Sequence, residues 1–136
     1  MTLTAVRKRA IALGISSLVV LSGAVISNVG TAHAATYACH VGIDDRGYVF
    51  AGYYIGTTVQ PSSTSVTAAG KEAQCLLQHY GLNPGTVDGI FGSKSQAAAK
   101  RAQQIVNDKC DAGLVEDGKV GPKTWPYLRY EYCLTH

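Results

Sequence analysis

Two stretches of the chain, VDGIFGSKSQ from Val87 and EDGKVGPKTW from Glu116, repeat one phrase. Both read Asp-Gly-x-x-Gly-x-Lys-Ser/Thr, from Asp88 to Ser95 and from Asp117 to Thr124, in a register of 29 residues. Residues of these types suggest three chemistries. A phosphate-binding loop needs Lys directly after its second Gly. Here Ser93 or Pro122 intervenes, and Pro122 also removes a backbone N–H that a phosphate would use. A calcium loop needs oxygen side chains at alternate positions ahead of its Gly. Counting back by twos gives Thr86 and Pro84 before Asp88, and Val115 and Gly113 before Asp117, so that ligand set is missing. Third, Asp88 and Asp117 could act as the carboxylate pair of a glycan hydrolase. Each, however, sits in a turn that accounts for it without catalysis.

The turn account covers the whole phrase. Asp bonds a backbone N–H two residues on, and Gly89 or Gly118 takes positive φ. Phe91 or Val120 then plugs inward. Gly92 or Gly121 lets the chain approach closely, and Ser95 or Thr124 falls in a first helical turn, where a hydroxyl can satisfy orphan amides. Other reactive residues are scattered. His33, His40, His79 and His136 have no second histidine at helical spacing, and no His-Glu-x-x-His run occurs. No metal or cofactor is expected.

The elements that must position these turns begin after a targeting segment. Arg7, Lys8 and Arg9 precede an apolar stretch, Ile11 to Val29, and Ala32-His33-Ala34 offers small residues to a signal peptidase. Residues 1–34 therefore read as a signal peptide, of a length that Gram-positive secretory signals reach. The competing reading is a retained anchor, since a membrane span needs roughly 20 residues. With cleavage after Ala34, three of the twelve basic residues leave, and nine remain against nine acidic ones. The neutral remainder has no basic field for nucleic acid or an anionic membrane. About 102 residues are marginal for a self-sufficient core. Cys39, Cys75, Cys110 and Cys133 are an even set and predict two disulfides, with three pairings open. A four-cysteine zinc site is disfavoured because no two share the short spacing that clamps a metal.

Residues 37–59 read as strand, YACHVGI and YVFAGYYI joined by the turn cluster Asp44 to Gly47. Tyr37, Tyr48, Tyr53 and Tyr54 give this hairpin either a sugar-stacking surface or a packing face; packing is the commoner use. Past the polar hinge at Pro61 to Ser65, Val66, Ala69, Ala73, Leu76, Leu77 and Tyr80 recur at spacings of three and four, the pattern of a helix closed by Gly81. A second helix is predicted from Ser93 to Asn107, with Ala98, Ala102, Ile105 and Val106 on its apolar side. A third starts at Pro122, with Trp125 and Leu128 facing inward. The expected fold is mainly α: a three-helix unit over 61–136, preceded by a short β-hairpin over 35–60.

The run from Glu72 to Leu128 resembles the peptidoglycan-binding-domain-like family of three-helix cell-wall modules. Gln74, Leu76 and Leu77 fit its first helix, and Asp88, Gly89, Phe91 and Gly92 its first loop, with Ser95 for Thr. Gln103 closes the second helix. Asp117, Gly118, Val120, Gly121, Thr124, Trp125 and Leu128 fit its third block. The likeness spans roughly Val66 to Leu128. Ala99 and Ala102 depart from it by replacing large apolar residues, a loss worth roughly 2–5 kcal/mol each if uncompensated. Gln104 to Glu116 is longer than usual and contains Cys110.

The resemblance implies a Cys75–Cys110 bridge with Cys39–Cys133 closing the ends. It implies binding of peptidoglycan, through the stem peptide or the glycan, at a groove near Asp88, Phe91, Lys94, Asp117, Trp125 and Tyr127. Core packing is the competing role for Phe91 and Trp125. Lys94 and Lys123 could meet a wall-peptide carboxylate, or could simply be solvated. The expectation is a secreted, monomeric, non-catalytic protein associated with the cell wall. The alternatives are a small wall hydrolase and a secreted protein-interaction or inhibitor module on the same fold.

Overall fold

The computed structural model describes residues 35–136; the expected signal segment lies outside the described residues. Asp44 organises the hairpin, its Oδ1 accepting from the N–H groups of Arg46 at 2.8 Å and Tyr48 at 3.0 Å. Strands β1 (Gly42–Ile43) and β2 (Val49–Phe50) pair antiparallel, Gly42 opposite Phe50 and Ile43 opposite Val49. The ladder is far shorter than the expected run over 37–59, for a physical reason. The N–H groups of Ala51, Tyr53 and Tyr54 donate to the Glu72 carboxylate instead, at 2.8, 2.9 and 3.2 Å.

Helix α1 (Ala68–His79) starts at Thr67, whose Oγ1 accepts from Gly70 N–H at 2.8 Å. Val66, expected on the apolar stripe, lies ahead of this cap and is half exposed. At the other end Gly81 takes φ +74, donating to Gln78 O while Leu82 donates to Leu77 O, a Schellman closure. Helix α2 (Ser93–Cys110) runs three residues beyond the expected Asn107 and stops at left-handed Asp111. Asn107 secures the loop that follows: Leu114 N–H donates to its Oδ1 at 2.7 Å, and its Nδ2 donates to Leu114 O at 2.9 Å.

Helix α3 (Trp125–Arg129) begins later than Pro122, because Gly121 to Thr124 form a turn closed by Thr124 N–H on Gly121 O at 2.9 Å. A fourth, short helix, α4 (Tyr132–Thr135), was not foreseen and packs on α2. The core joins Val49, Leu76, Leu77, Phe91, Val120, Trp125 and Leu128. To this cluster α2 contributes only the methyl groups of Ala98, Ala99 and Ala102. Among the described residues no helix is long and apolar enough to cross a membrane.

The disulfides are Cys39–Cys75 and Cys110–Cys133, which corrects the expected pairing. Cys75 lies on a fully buried side of α1 that the N-terminal segment covers, with Tyr37 N–H bonded to Val87 O beside it. Cys110, carried past Asn107 by the longer α2, joins Val106, Leu114 and Cys133 in a small cluster under α4. Each bridge thus ties one end of the chain to one of the two long helices. Closing sequence separations of 36 and 23, each contributes about 3–4 kcal/mol on the chain-entropy account.

Candidate functional site

The first repeated turn is built around the buried amide of Gln74 on α1. Its Nε2 donates to Asp88 Oδ1 at 3.1 Å, Ile90 O at 3.0 Å and Ser95 Oγ at 2.9 Å. Its Oε1 accepts from Gly89 N–H at 2.8 Å. Asp88 Oδ1 also takes Ile90 N–H at 2.9 Å, so the Asp turn and the Gln amide hold each other. Ser95 was expected to cap helical amides. Its hydroxyl instead accepts from Gln74 and donates to Pro84 O at 2.9 Å, because a buried amide N–H left unpaired would cost more than a solvated helix end.

The second turn repeats this network in register. Gln103 on α2 donates to Asp117 Oδ1 at 3.3 Å, Lys119 O at 3.0 Å and Thr124 Oγ1 at 3.1 Å, and accepts from Gly118 N–H at 2.8 Å. Lys119 N–H donates to Asp117 Oδ1 at 2.9 Å. That backbone bond holds the Asp117 carboxyl below the usual aspartate range against the opposing effect of burial, with further help from the Gln103 amide. Gly89 and Gly118 sit at φ +82 and +75, as the turn requires.

Clefts open beside both turns. One of about 280 Å³ lies over the first, walled by Gly85, Thr86, Asp88, Ile90, Ser93 and Lys94. One of about 340 Å³ lies over the second, walled by Leu114, Val115, Asp117, Lys119, Pro122 and Lys123. Those six residues are the register mates of the first six, 29 positions on. A further cleft of about 320 Å³, with Ser62, Phe91, Gln96 and Val120 in its wall, shares Gln60 and Lys119 with the second.

The candidate residues fall into two sets. Asp88, Lys94 and Asp117 line the repeated clefts, together with Lys123. Phe91 and Trp125 are 2% and 0% exposed and belong to the core, although Phe91 also contributes to the wall of the further cleft. Trp125 Nε1 donates to Val59 O at 2.8 Å and so serves the N-terminal segment. Tyr127 is half-buried against Val106, Leu114 and Cys133. Gly92 and Gly121 stand at the entrances to α2 and to the turn before α3.

The resemblance placed Gln74 in the first helix and Gln103 at the close of the second; instead α2 runs on to Cys110, and the two amides organise both turns. The signal was present: the same register relates them to each other. Sequence reasoning gave no role to Glu72 and Arg129, a fully buried ion pair. Among the described residues no three His, Cys, Asp or Glu side chains gather as metal ligands. Residues 67–128 match the family model described as "Putative peptidoglycan binding domain". No curated protein and no solved structure matches the chain.

Proposed function

We propose, from the match of residues 67–128 to the peptidoglycan-binding family model, that this is a secreted, non-catalytic protein that attaches to the bacterial cell wall. The observation that carries the reading is the pair of Gln–Asp turns, which hold two open clefts in fixed shape inside the matched segment. A polar polymer suits clefts rimmed by Asp, Lys and backbone groups, where rigid walls lower the entropy lost on binding. Asp88, Lys94, Asp117 and Lys123 are the proposed contacts at these rims, with Tyr127 at the edge of the α4 cluster. Phe91 and Trp125 support the same surface from the core.

Two disulfides favour an oxidising compartment. The non-catalytic reading is supported at Asp117, where hydrogen bonds from Lys119 N–H and the Gln103 amide favour the ionised carboxylate and hold it below the usual aspartate range, whereas a general acid needs its proton retained near the working pH. Sedimentation with insoluble peptidoglycan tests the proposal. The protein should appear in the pellet and leave no cleared band on a peptidoglycan zymogram. A protein wholly in the supernatant overturns wall binding, and a cleared band overturns the non-catalytic reading.

A further inference from the structure

We infer that the cleft over the Asp117 turn takes a free peptide carboxylate flanked by small aliphatic side chains, and that its register mate over the Asp88 turn does not. The inference rests on the wall-binding reading and names the part of the polymer recognised, a peptide end rather than a sugar.

The chain supplies its own comparison, because one scaffold is built twice. Gln74 and Gln103, Asp88 and Asp117, and Lys94 and Lys123 are the same in both copies. The rest of the wall changes in one direction. Ile90 becomes Lys119, Gly85 becomes Leu114, Thr86 becomes Val115 and Ser93 becomes Pro122. None of this is demanded by the turn. Position 90 or 119 enters the network through its backbone N–H and C=O alone, which leaves the side chain free for another purpose. Val115 is 73% exposed beside that cation, an apolar surface that folding does not use.

The second cleft therefore combines two ammonium groups, one carboxylate and an aliphatic wall of Leu114, Val115 and Pro122. One positive charge is left over, which a single carboxylate balances. The aliphatic wall suits methyl-sized side chains and has nothing to offer a hydrated phosphate. All hydrogen bonds of the Asp117 side chain are taken by Oδ1, so Oδ2 is available to a peptide N–H. Gln60 reaches this cleft from the N-terminal segment and also lines the neighbouring one, giving a bound chain a path onward.

The test is an amide-resolved NMR titration of the protein with N-acetyl-dialanine, its C-terminal amide and inorganic phosphate. N-acetyl-dialanine should shift Val115, Lys119 and Lys123 while Thr86, Ile90 and Lys94 stay still. The amide should bind at least fivefold more weakly. Lys119→Ile, which installs the residue of the first cleft, should lose a similar factor, as should Lys123→Gln, with dispersed spectra showing that both variants fold. Equal binding of acid and amide, equal shifts in both clefts, no shifts at all, or competition by phosphate as strong as by the peptide each overturn the inference. If the titration fails while the protein still sediments with peptidoglycan, wall binding stands without this subsite. If sedimentation fails as well, both readings fall.

Discussion

Gln74 is bonded through both ends of its amide, so replacing it with Leu leaves Gly89 N–H without a partner in a buried place and Ser95 Oγ with Pro84 O alone. One unsatisfied buried group costs about 1–3 kcal/mol, and Gln74→Leu should lower unfolding free energy by about 3 kcal/mol in a urea titration. Gln103→Leu should behave alike, because its contacts repeat in register; a loss under 1 kcal/mol in both would remove the amides from their organising role. Asp117 makes a different prediction, one of sign. Its carboxyl titrates lower in the folded chain than the ordinary 3.8, so the fold binds fewer protons there than the unfolded chain. That contribution is fully present above the ordinary value and is lost as pH falls through the depressed one. Asp117→Asn keeps an acceptor at Oδ1 and removes the titration. Its thermal midpoint should therefore fall less than the parent's between about pH 5 and pH 2, and an identical fall in both proteins refutes the assignment. The Asp-Gly turns were plain in the sequence because their chemistry is local. Gln74 and Gln103 were harder to see, since each lies 14 residues before its turn on an otherwise apolar helix face.

At the scale of elements, α1 is held against the first turn through Gly70. A Cβ built there would stand 2.1 Å from Gly89 O, a backbone atom with no freedom to retreat. Thr67 N–H bonds the same carbonyl at 3.1 Å, so the start of the helix and the turn are locked at close range. Inside an exposed helix Gly→Ala is stabilising by roughly 1 kcal/mol. Gly70→Ala should instead destabilise by about 2 kcal/mol or more through overpacking, read from the midpoint of a denaturant titration; a stabilised variant would show that the approach is looser than the structure has it. The C-terminal end of α1 was legible because Gly81 is a local signal, whereas the Thr67 cap was not, and Val66 fell outside the helix. The disulfide partners were not legible either. Which side of α1 Cys75 shares depends on where residues 35–60 lie, and no periodicity in either segment encodes that. The length of α2 mattered as well, since three more residues of helix carry Cys110 to Cys133 rather than back toward α1.

Across the whole molecule, the N-terminal segment and the helices share one charged centre. Arg129, at the end of α3, bonds Glu72 of α1, Val49 O of β2, and the carbonyls of Tyr54 and Gly56, with its guanidinium 4.9 Å from the Trp125 ring centre. Both charged side chains are wholly buried. The pair spans 57 residues of sequence, which is why no local pattern announced it and why the segment 35–60 looked like an extension. Glu72 also holds three backbone N–H groups of that segment, so its carboxylate substitutes for a strand partner. A buried pair of this kind is costly to break and cheap to replace as a whole. Removing one partner strands the other charge at about 3–5 kcal/mol, whereas an apolar pair of similar volume is often neutral. Glu72→Gln and Arg129→Met should each lose about that much stability and loosen residues 49–56 in hydrogen exchange. The double variant Glu72→Leu with Arg129→Met should recover part of the loss, less than a pure ion pair would, because the carbonyls and N–H groups of the segment stay unpaired. Strict additivity of the two single losses would mean that the charges do not interact, and the N-terminal segment would then be held by Cys39–Cys75 and by Trp125 on Val59 alone.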